Sequence, residues 1–289
     1  LLSAVWTGAG TAVPYDDGYD AGNRGRATKA AAMSLKARLL LYYASPLNNP
    51  SNDLTRWQAA ADAAKAVIDL NKHSLLTRAQ LASLWDYNTS LVYNKEVIFA
   101  STAPAANTIE VNNAPTGFGG LGRTNPTQDL VDAFEMINGN PITDPTYNPQ
   151  NPYANRDPRL ALFIITNGST FKLGAIPARP VETWDGGKDN VLTDPNSTKT
   201  GYYMRKFISD VAGINPAVLR RRPWVFFRYA ETLLNYAEAL NEAVGPTIEV
   251  YNSINQIRAR AGMPNLPAGL SQDAMRNRIR NERRVELCF

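Results

Sequence analysis

The chain has 289 residues, enough for one large hydrophobic core or two smaller ones, and its formal net charge is only +4. Its arginines near the C-terminal end alternate with glutamates and apolar residues, which does not indicate a nucleic-acid-binding surface. No apolar run approaches the ~18 residues of a membrane-spanning helix. A single cysteine, Cys288, and a single histidine, His73, argue against a disulfide framework, a multi-cysteine metal site and a histidine-based catalytic triad. We therefore predict no cofactor and no metal, and interpret His73 as a solvated or capping residue.

Apolar residues at helical spacing predict helices towards both ends of the chain. The predicted helices cover residues 26–44, 55–70, 224–243, 247–261 and 271 onward. Between the second and third of these, the pattern over 73–100 predicts a short helix and then a strand at 97–99.

The middle of the chain, residues 101–215, has a different character. It holds most of the proline, glycine and asparagine, with one predicted helix at 127–136 and strand-like pieces at 161–166 and 202–207. Long loops in compact proteins tend to be functional or disordered, so we expect this region to have a functional role. The predicted organisation is an N-terminal scaffold (1–100), this loop-rich insertion and a C-terminal scaffold (216–289), all parts of one unit.

Two of the helices carry similar sequences. LLYYA (40–44) matches LLNYA (233–237) at four of five positions, and each is followed by a turn containing proline and a second helix. Repeated helix pairs with small residues at the contact face indicate tetratricopeptide-like packing. Coincidence between two Ala- and Leu-rich helices is the alternative.

The stretch GFGGLG (117–122) fits the dinucleotide-binding pattern G-x-G-x-x-G. That fingerprint works where a strand ends at the first glycine and a helix opens at the last. Here the nearest β-like run is EVIFA (96–100), and a helix could start only near Pro126. We interpret the stretch as an exposed loop whose glycines present Phe118 and Arg123 outward.

Eight stretches, in order, resemble the SusD-like (RagB/SusD) family of outer-membrane glycan-binding lipoproteins. They are GRATKAAAMSLKARLLLYYASPL (25–47), NKEVIFA (94–100), NPTQDLVDAFEM (125–136), NPYANRDPRL (151–160), TGYYMRKF (200–207), RYAETLLNYAEALNE (228–242), INQIRARAGMP (254–264) and IRNERRVEL (279–287). No single stretch is decisive, but together they cover nearly the whole chain.

The resemblance implies a mainly α fold, in which a tetratricopeptide-like helix-pair scaffold carries a loop-rich subdomain with short β-strands. It implies a lipoprotein on the outer face of the outer membrane that captures an oligo- or polysaccharide without catalysis. It also implies delivery of that glycan to a SusC-like TonB-dependent transporter. The chain looks like an internal fragment, so the signal peptide and lipid anchor are carried over from the family. The alternative function is a tetratricopeptide-type protein–protein adaptor.

A sugar site needs aromatic faces for the ring C–H groups and polar side chains for the hydroxyls. The candidate ligand-binding residues in the loop-rich region are Phe118, Arg123, Asn112, Asn113, Tyr147 and Trp184. We expect Tyr153, in the family-like NPYANRDPRL stretch, to be structural, and Trp57, Trp85 and Trp224 to be packing residues.

A glycosidase would need two carboxyl groups flanking a cleft. Asp132 and Glu135 are three residues apart in a predicted helix, but their apolar neighbours mark an ordinary amphipathic helix with a solvated face. We therefore predict no catalytic residue. The acidic loop 185–190 lacks the spacing of an EF-hand, and the sequence leaves calcium binding there open.

Overall fold

A computed structural model describes residues 26–81, 84, 94–101, 104–222 and 224–289 of the chain. These residues form a mainly α fold with a few short strands, which confirms the predicted fold class. Trp85 lies outside the described residues.

The helices supply most of the regular structure. They are α1 (Lys29–Ala44), α2 (Leu54–Ile68), α3 (Arg78–Leu81), α4 (Thr108–Asn113), α5 (Gln128–Ala133), α6 (Arg159–Phe163), α7 (Tyr229–Val244), α8 (Ile248–Ala261) and α9 (Gln272–Glu286). The strands are β1 (Val97–Ala100), β2 (Ala105–Ala106), β3 (Ile164–Ile165), β4 (Thr170–Leu173), β5 (Ile176–Pro180), β6 (Tyr203–Met204), β7 (Arg220–Arg221) and β8 (Val225–Arg228). They pair antiparallel in four two-stranded sheets, β1 with β8, β2 with β7, β3 with β6 and β4 with β5.

Helices α1, α2, α7 and α8 pack against one another in that order, and α9 packs on α7. The side chain of Thr28 accepts a hydrogen bond from the Ala31 amide at 3.1 Å and caps α1, while Asp53 caps α2. Small residues fill the contact between α1 and α2, including Ala37, Ala60 and others, with Trp57 buried among them. Alanine at these positions lets the helix axes approach closely, as tetratricopeptide-like packing requires.

The helix predicted over 224–243 begins later than expected. Residues Val225–Arg228 form strand β8, because they pair with β1, and α7 starts only at Tyr229. Trp224, predicted to lie in the core, is 65% exposed, so that prediction is wrong. Trp57 is 4% exposed, as predicted.

Two predictions in the loop-rich region are also corrected. The helix predicted at 127–136 ends at Ala133, so Glu135 lies beyond it and is buried, with Arg278 Nη1 2.7 Å from its Oε1. The strand-like piece at 161–166 begins as helix α6, and only two residues of it pair with β6. The strand predicted at 202–207 is accordingly two residues long.

A buried network of charged side chains centres on Glu286 near the end of α9. Its Oε1 accepts hydrogen bonds from Arg228 at 2.6 Å and Arg260 at 2.5 Å, and its Oε2 accepts one from Arg159 at 2.9 Å. Burial alone would raise the pKa of Glu286, but the three guanidinium groups outweigh it and hold the pKa well below its usual range.

The same arginines reach carboxylates on other elements. Arg228 and Arg260 also bind Glu96, at 2.8 and 3.1 Å, just before β1. Arg159 binds Asp157 at 2.7 Å and Glu282 at 2.5 Å. One continuous set of ion pairs therefore ties α6, α8, α9, β8 and the start of β1 together.

Lys206 lies beside this network. Its ammonium group is buried and donates to the carbonyl oxygens of Cys288, at 2.7 Å, and Glu286, at 3.2 Å. Burial lowers the pKa of Lys206 to about 8, because the charged form loses its hydration.

Replacing Glu286 tests the network. Glu286→Gln keeps the shape of the side chain but leaves three buried arginines without their shared carboxylate, and we expect a loss of about 3–5 kcal/mol in the free energy of unfolding. Chemical denaturation followed by circular dichroism measures it. The control Asp62→Asn, on an exposed side chain of α2, should change stability by less than about 0.5 kcal/mol. Equal small effects would contradict the central role of Glu286.

The lysine predicts a pH dependence. Its folded pKa of about 8 lies below the ordinary 10.5, so the unfolded state binds more protons between these values and stability rises with pH. Relative to Lys206→Met, which cannot titrate, the wild-type free energy of unfolding should increase by roughly 1 kcal/mol between about pH 7 and pH 9. The measurement is chemical denaturation of both proteins at each pH. The same change in the free energy of unfolding with pH in both would contradict this prediction.

Candidate functional site

The loop of residues 182–190, here called the Trp184 loop, presents an exposed aromatic ring on a fixed backbone. Trp184 is 49% exposed, and its carbonyl accepts a hydrogen bond from the Gly187 amide at 2.8 Å. The Thr183 amide donates to Asn167 Oδ1 at 3.0 Å, and the Thr183 carbonyl accepts from Asn190 Nδ2 at 2.6 Å. Because these bonds hold the backbone in place, a ligand stacking on the ring would not have to order the loop first.

Asp189 anchors the Trp184 loop to its surroundings. Its fully buried carboxylate accepts hydrogen bonds from the Glu182 amide at 2.9 Å and the Gly117 amide at 3.0 Å. It also pairs with both terminal nitrogens of Arg179, at 2.8 and 3.1 Å. A single side chain thus joins the Trp184 loop, strand β5 and the glycine-rich stretch 116–122, here called the glycine loop.

Phe118 of the glycine loop lies in the core. Its side chain is 0% exposed, its ring meets that of Phe171 edge-on at 4.9 Å between centroids, and Arg179 lies 4.1 Å from its centroid. The expectation that the glycines present Phe118 outward is wrong, because the ring packs in a buried apolar cluster with Ile165, Phe171 and other residues. A ring without exposed surface has no face to offer a ligand.

Gly117 and Gly120 allow close packing that a side chain would prevent. A Cβ at Gly117 would lie 2.2 Å from Arg179 Nη2, and one at Gly120 would lie 2.1 Å from the Ala114 carbonyl oxygen. Helix α4 precedes the glycine loop, and the next helix, α5, starts only at Gln128. The strand and the adjoining helix that a dinucleotide site needs are therefore missing, as the sequence indicated.

Asn112 and Asn113 lie at the end of α4, and Arg123 directly follows the glycine loop. The Arg123 amide donates to the Asn112 carbonyl at 2.9 Å, and the Arg123 side chain is exposed. Asn112 and Asn113 are half-buried on α4, and Asn113 Nδ2 donates to the Ile109 carbonyl at 3.0 Å. Of the three, Arg123 is the most available to a ligand.

Tyr147 is half-buried, with the Arg156 guanidinium 5.7 Å from its ring centroid. Its loop is ordered by Asp144, which accepts hydrogen bonds from the Thr146 amide at 2.8 Å and Asn140 Nδ2 at 2.7 Å. Hydrogen bonds, those of Thr146 foremost, lower the pKa of Asp144 to about 2. Tyr153 packs against Tyr202, edge-on at 6.3 Å, in a structural position as expected.

The structure does not make all six candidates available at the surface, because Phe118 is buried. Among the described residues, no hydrogen bond, ion pair or ring contact links Tyr147 with Trp184 or Arg123. Three exposed polar side chains near Trp184 could form hydrogen bonds with sugar hydroxyls. They are Asn167, Asp185 and Lys188. Asn167 was missed from sequence, although the Asn-Gly pair at 167–168 signalled a turn between two strands.

The carboxylate pair considered for hydrolysis is not arranged for it. Glu135 is held by Arg278, as described above, while Asp132 accepts a hydrogen bond from Gln128 at 2.7 Å. His73 is half-exposed and its Nδ1 lies 3.2 Å from the Lys95 carbonyl oxygen; partial burial lowers its pKa. Across the described ranges, no three His, Cys, Asp or Glu side chains come together in a way that could hold a metal ion.

Comparison with known proteins identifies the family. A family model described as the SusD family matches residues 83–289, well over half of the chain. The chain belongs to the SusD family. It is similar in structure to a SusD-like protein from Bacteroides fragilis, with 30% sequence identity over 94% of this chain and a TM-score of 0.73. A second structure from B. fragilis, described as a SusD-like carbohydrate binding protein, shares 28% identity over 93% of this chain, also with a TM-score of 0.73.

A curated relative, SusD-like protein P2 of Formosa agariphila, is 41% identical over 73 residues, which cover 23% of this chain and 14% of the relative. The chain spans about half the length of the two solved SusD-like structures, 54% and 51%. Within the described part of the chain, no helix is both long and apolar enough to cross a membrane.

The burial of Phe118 yields a prediction about stability. Phe118→Ala removes a ring packed against Phe171 and Arg179 and should lower the free energy of unfolding by about 3–5 kcal/mol. Thermal and chemical denaturation measure the loss. Trp184→Ala, which truncates an exposed ring, is the comparison and should cost less than about 0.5 kcal/mol. An unchanged melting temperature for Phe118→Ala would indicate that the ring is exposed, as first expected from the sequence.

Proposed function

We propose that this SusD-family chain binds an oligo- or polysaccharide, without catalysing any reaction, and that the Trp184 loop supplies the main contact. Trp184 carries the proposal, because its ring combines large exposure with a hydrogen-bonded backbone. An aromatic face suits the C–H surface of a sugar ring, and Asn167, Asp185 and Lys188 supply donors and acceptors for hydroxyls.

Family membership supports the same proposal. One of the similar structures is described as a carbohydrate binding protein. By the same family argument, we propose that the protein works on the outer face of the outer membrane, as a lipoprotein, and passes its glycan to a SusC-like TonB-dependent transporter. Co-purification of the full-length protein with such a transporter from membranes tests that step independently of glycan binding.

Isothermal titration calorimetry against a panel of plant, host and microbial polysaccharides tests the glycan proposal. For a polysaccharide that binds, Trp184→Ala should weaken the affinity at least about tenfold, equivalent to about 1.4 kcal/mol. Trp224→Ala is the matched control, because Trp224 is another exposed tryptophan, directly before strand β8 and outside the Trp184 loop, and it should leave the affinity unchanged.

The outcomes separate the possibilities. If Tyr147→Ala abolishes binding while Trp184→Ala does not, the site lies at the Tyr147 surface and the role of Trp184 is overturned. Release of reducing sugars from any polysaccharide of the panel would overturn the non-catalytic part. A folded protein that binds no polysaccharide across the panel would overturn glycan capture itself.

A further inference from the structure

A groove separates the end of α1 and the loop that follows it from helix α9. Two cavities of about 500 Å³ each lie along it, and both are lined by Ser45, Glu238 and Arg280, so they lie side by side. We call this space the α1–α9 groove. Glu238 and Glu242 of α7 also line the groove.

Four arginines of α9 line one wall, and two of them have partners. Arg276 binds Glu242 through two nitrogens, at 2.5 and 2.6 Å, and Arg283 donates to Asn235 Oδ1 at 2.7 Å. Arg280 and Arg284 are exposed and make no hydrogen bond or ion pair with any described residue. Arg280 also interacts electrostatically with Glu238, but the four arginines outnumber Glu238 and Glu242, so the lining carries a net positive charge toward a ligand.

The spacing of these two arginines selects a ligand geometry. Arg280 and Arg284 stand one turn apart on α9, so their positions differ by about 6 Å along the helix axis. In an extended peptide, side chains on the same face recur about every 6.6–6.8 Å. Carboxylates at alternate positions of such a peptide can each meet one guanidinium group, which binds carboxylates in a planar, two-point manner.

The opposite wall offers a different chemistry. Tyr42 on α1 is 61% exposed, and its carbonyl oxygen already accepts hydrogen bonds from Ser45 Oγ and Asn48 Nδ2. Because the residue is exposed, its ring can cover the apolar part of a bound chain. Stacked helix pairs commonly use such a concave face for binding.

We propose that the α1–α9 groove binds an extended acidic peptide segment of a partner protein, whose carboxylates at alternate positions pair with Arg280 and Arg284. This interaction is separate from the glycan contact at the Trp184 loop, and neither proposal depends on the other. Charge complementarity and the matching repeat distances favour a peptide over a sugar polymer.

Fluorescence anisotropy with a labelled, end-capped peptide of alternating serine and glutamate tests the proposal at low salt, where surface charges are least screened. We expect saturable binding to the intact chain. The double variant Arg280→Gln/Arg284→Gln should weaken it by about tenfold or more, because each lost arginine removes a charged hydrogen bond. A peptide with glutamine in place of glutamate should fail to bind.

A matched control removes the same charge elsewhere. Lys172→Gln/Arg221→Gln changes two exposed side chains outside the groove and should leave the affinity within about twofold. Circular dichroism melting curves check that both double variants are folded. Equal weakening by the two pairs, or equal affinity for the glutamine peptide, would overturn the proposal.

Two further comparisons test the proposal. A peptide of the same charge whose glutamates are adjacent in sequence should bind more weakly than the alternating peptide. Equal affinity for the two peptides would overturn the alternate spacing. An acidic oligosaccharide such as oligogalacturonate that binds through Arg280 and Arg284, while the peptide does not, would make the ligand a glycan.

Discussion

The ion pairs of Glu286 connect parts of the chain that are far apart in sequence. Arg159, Arg228 and Arg260 converge on this one carboxylate from α6, β8 and α8. Burying so many charges costs much hydration energy, so the arrangement is stable only if every member keeps its partners. The helical scaffold and the loop-rich region are therefore positioned by one set of interactions with little tolerance for change.

This constraint fixes the inner side of α9 against the rest of the fold. Glu282 and Glu286 face inward to the network, and Met275 and Ile279 face the apolar core with α7 and α8. On the remaining face, Arg280 and Arg284 are exposed and line the groove beside α1. A helix fixed on its inner side can offer a rigid outer side to a partner, which reduces the entropy lost on binding.

The glycine loop has a supporting part in the loop-rich region. The Gly117 amide donates a hydrogen bond to the Asp189 carboxylate, and the buried Phe118 ring packs against the Arg179 guanidinium. The Trp184 loop rests on this assembly, so the exposed ring depends on buried residues for its position. Buried residues that do not contact a ligand would in this way determine the position of the Trp184 ring.

The sequence by itself determined the main helices and the rejection of a dinucleotide site, because helical spacing and flanking residues are local signals, and its resemblance to other sequences identified the family. Only the tertiary structure decided which side chains are buried. Phe118 is enclosed by Phe171 and Arg179, more than fifty residues away. Trp224 is exposed because the residues after it pair with β1 as a strand, and Glu135 is buried because Arg278 approaches from α9. Burial and ion pairing depend on partners distant in sequence, and no local pattern specifies them.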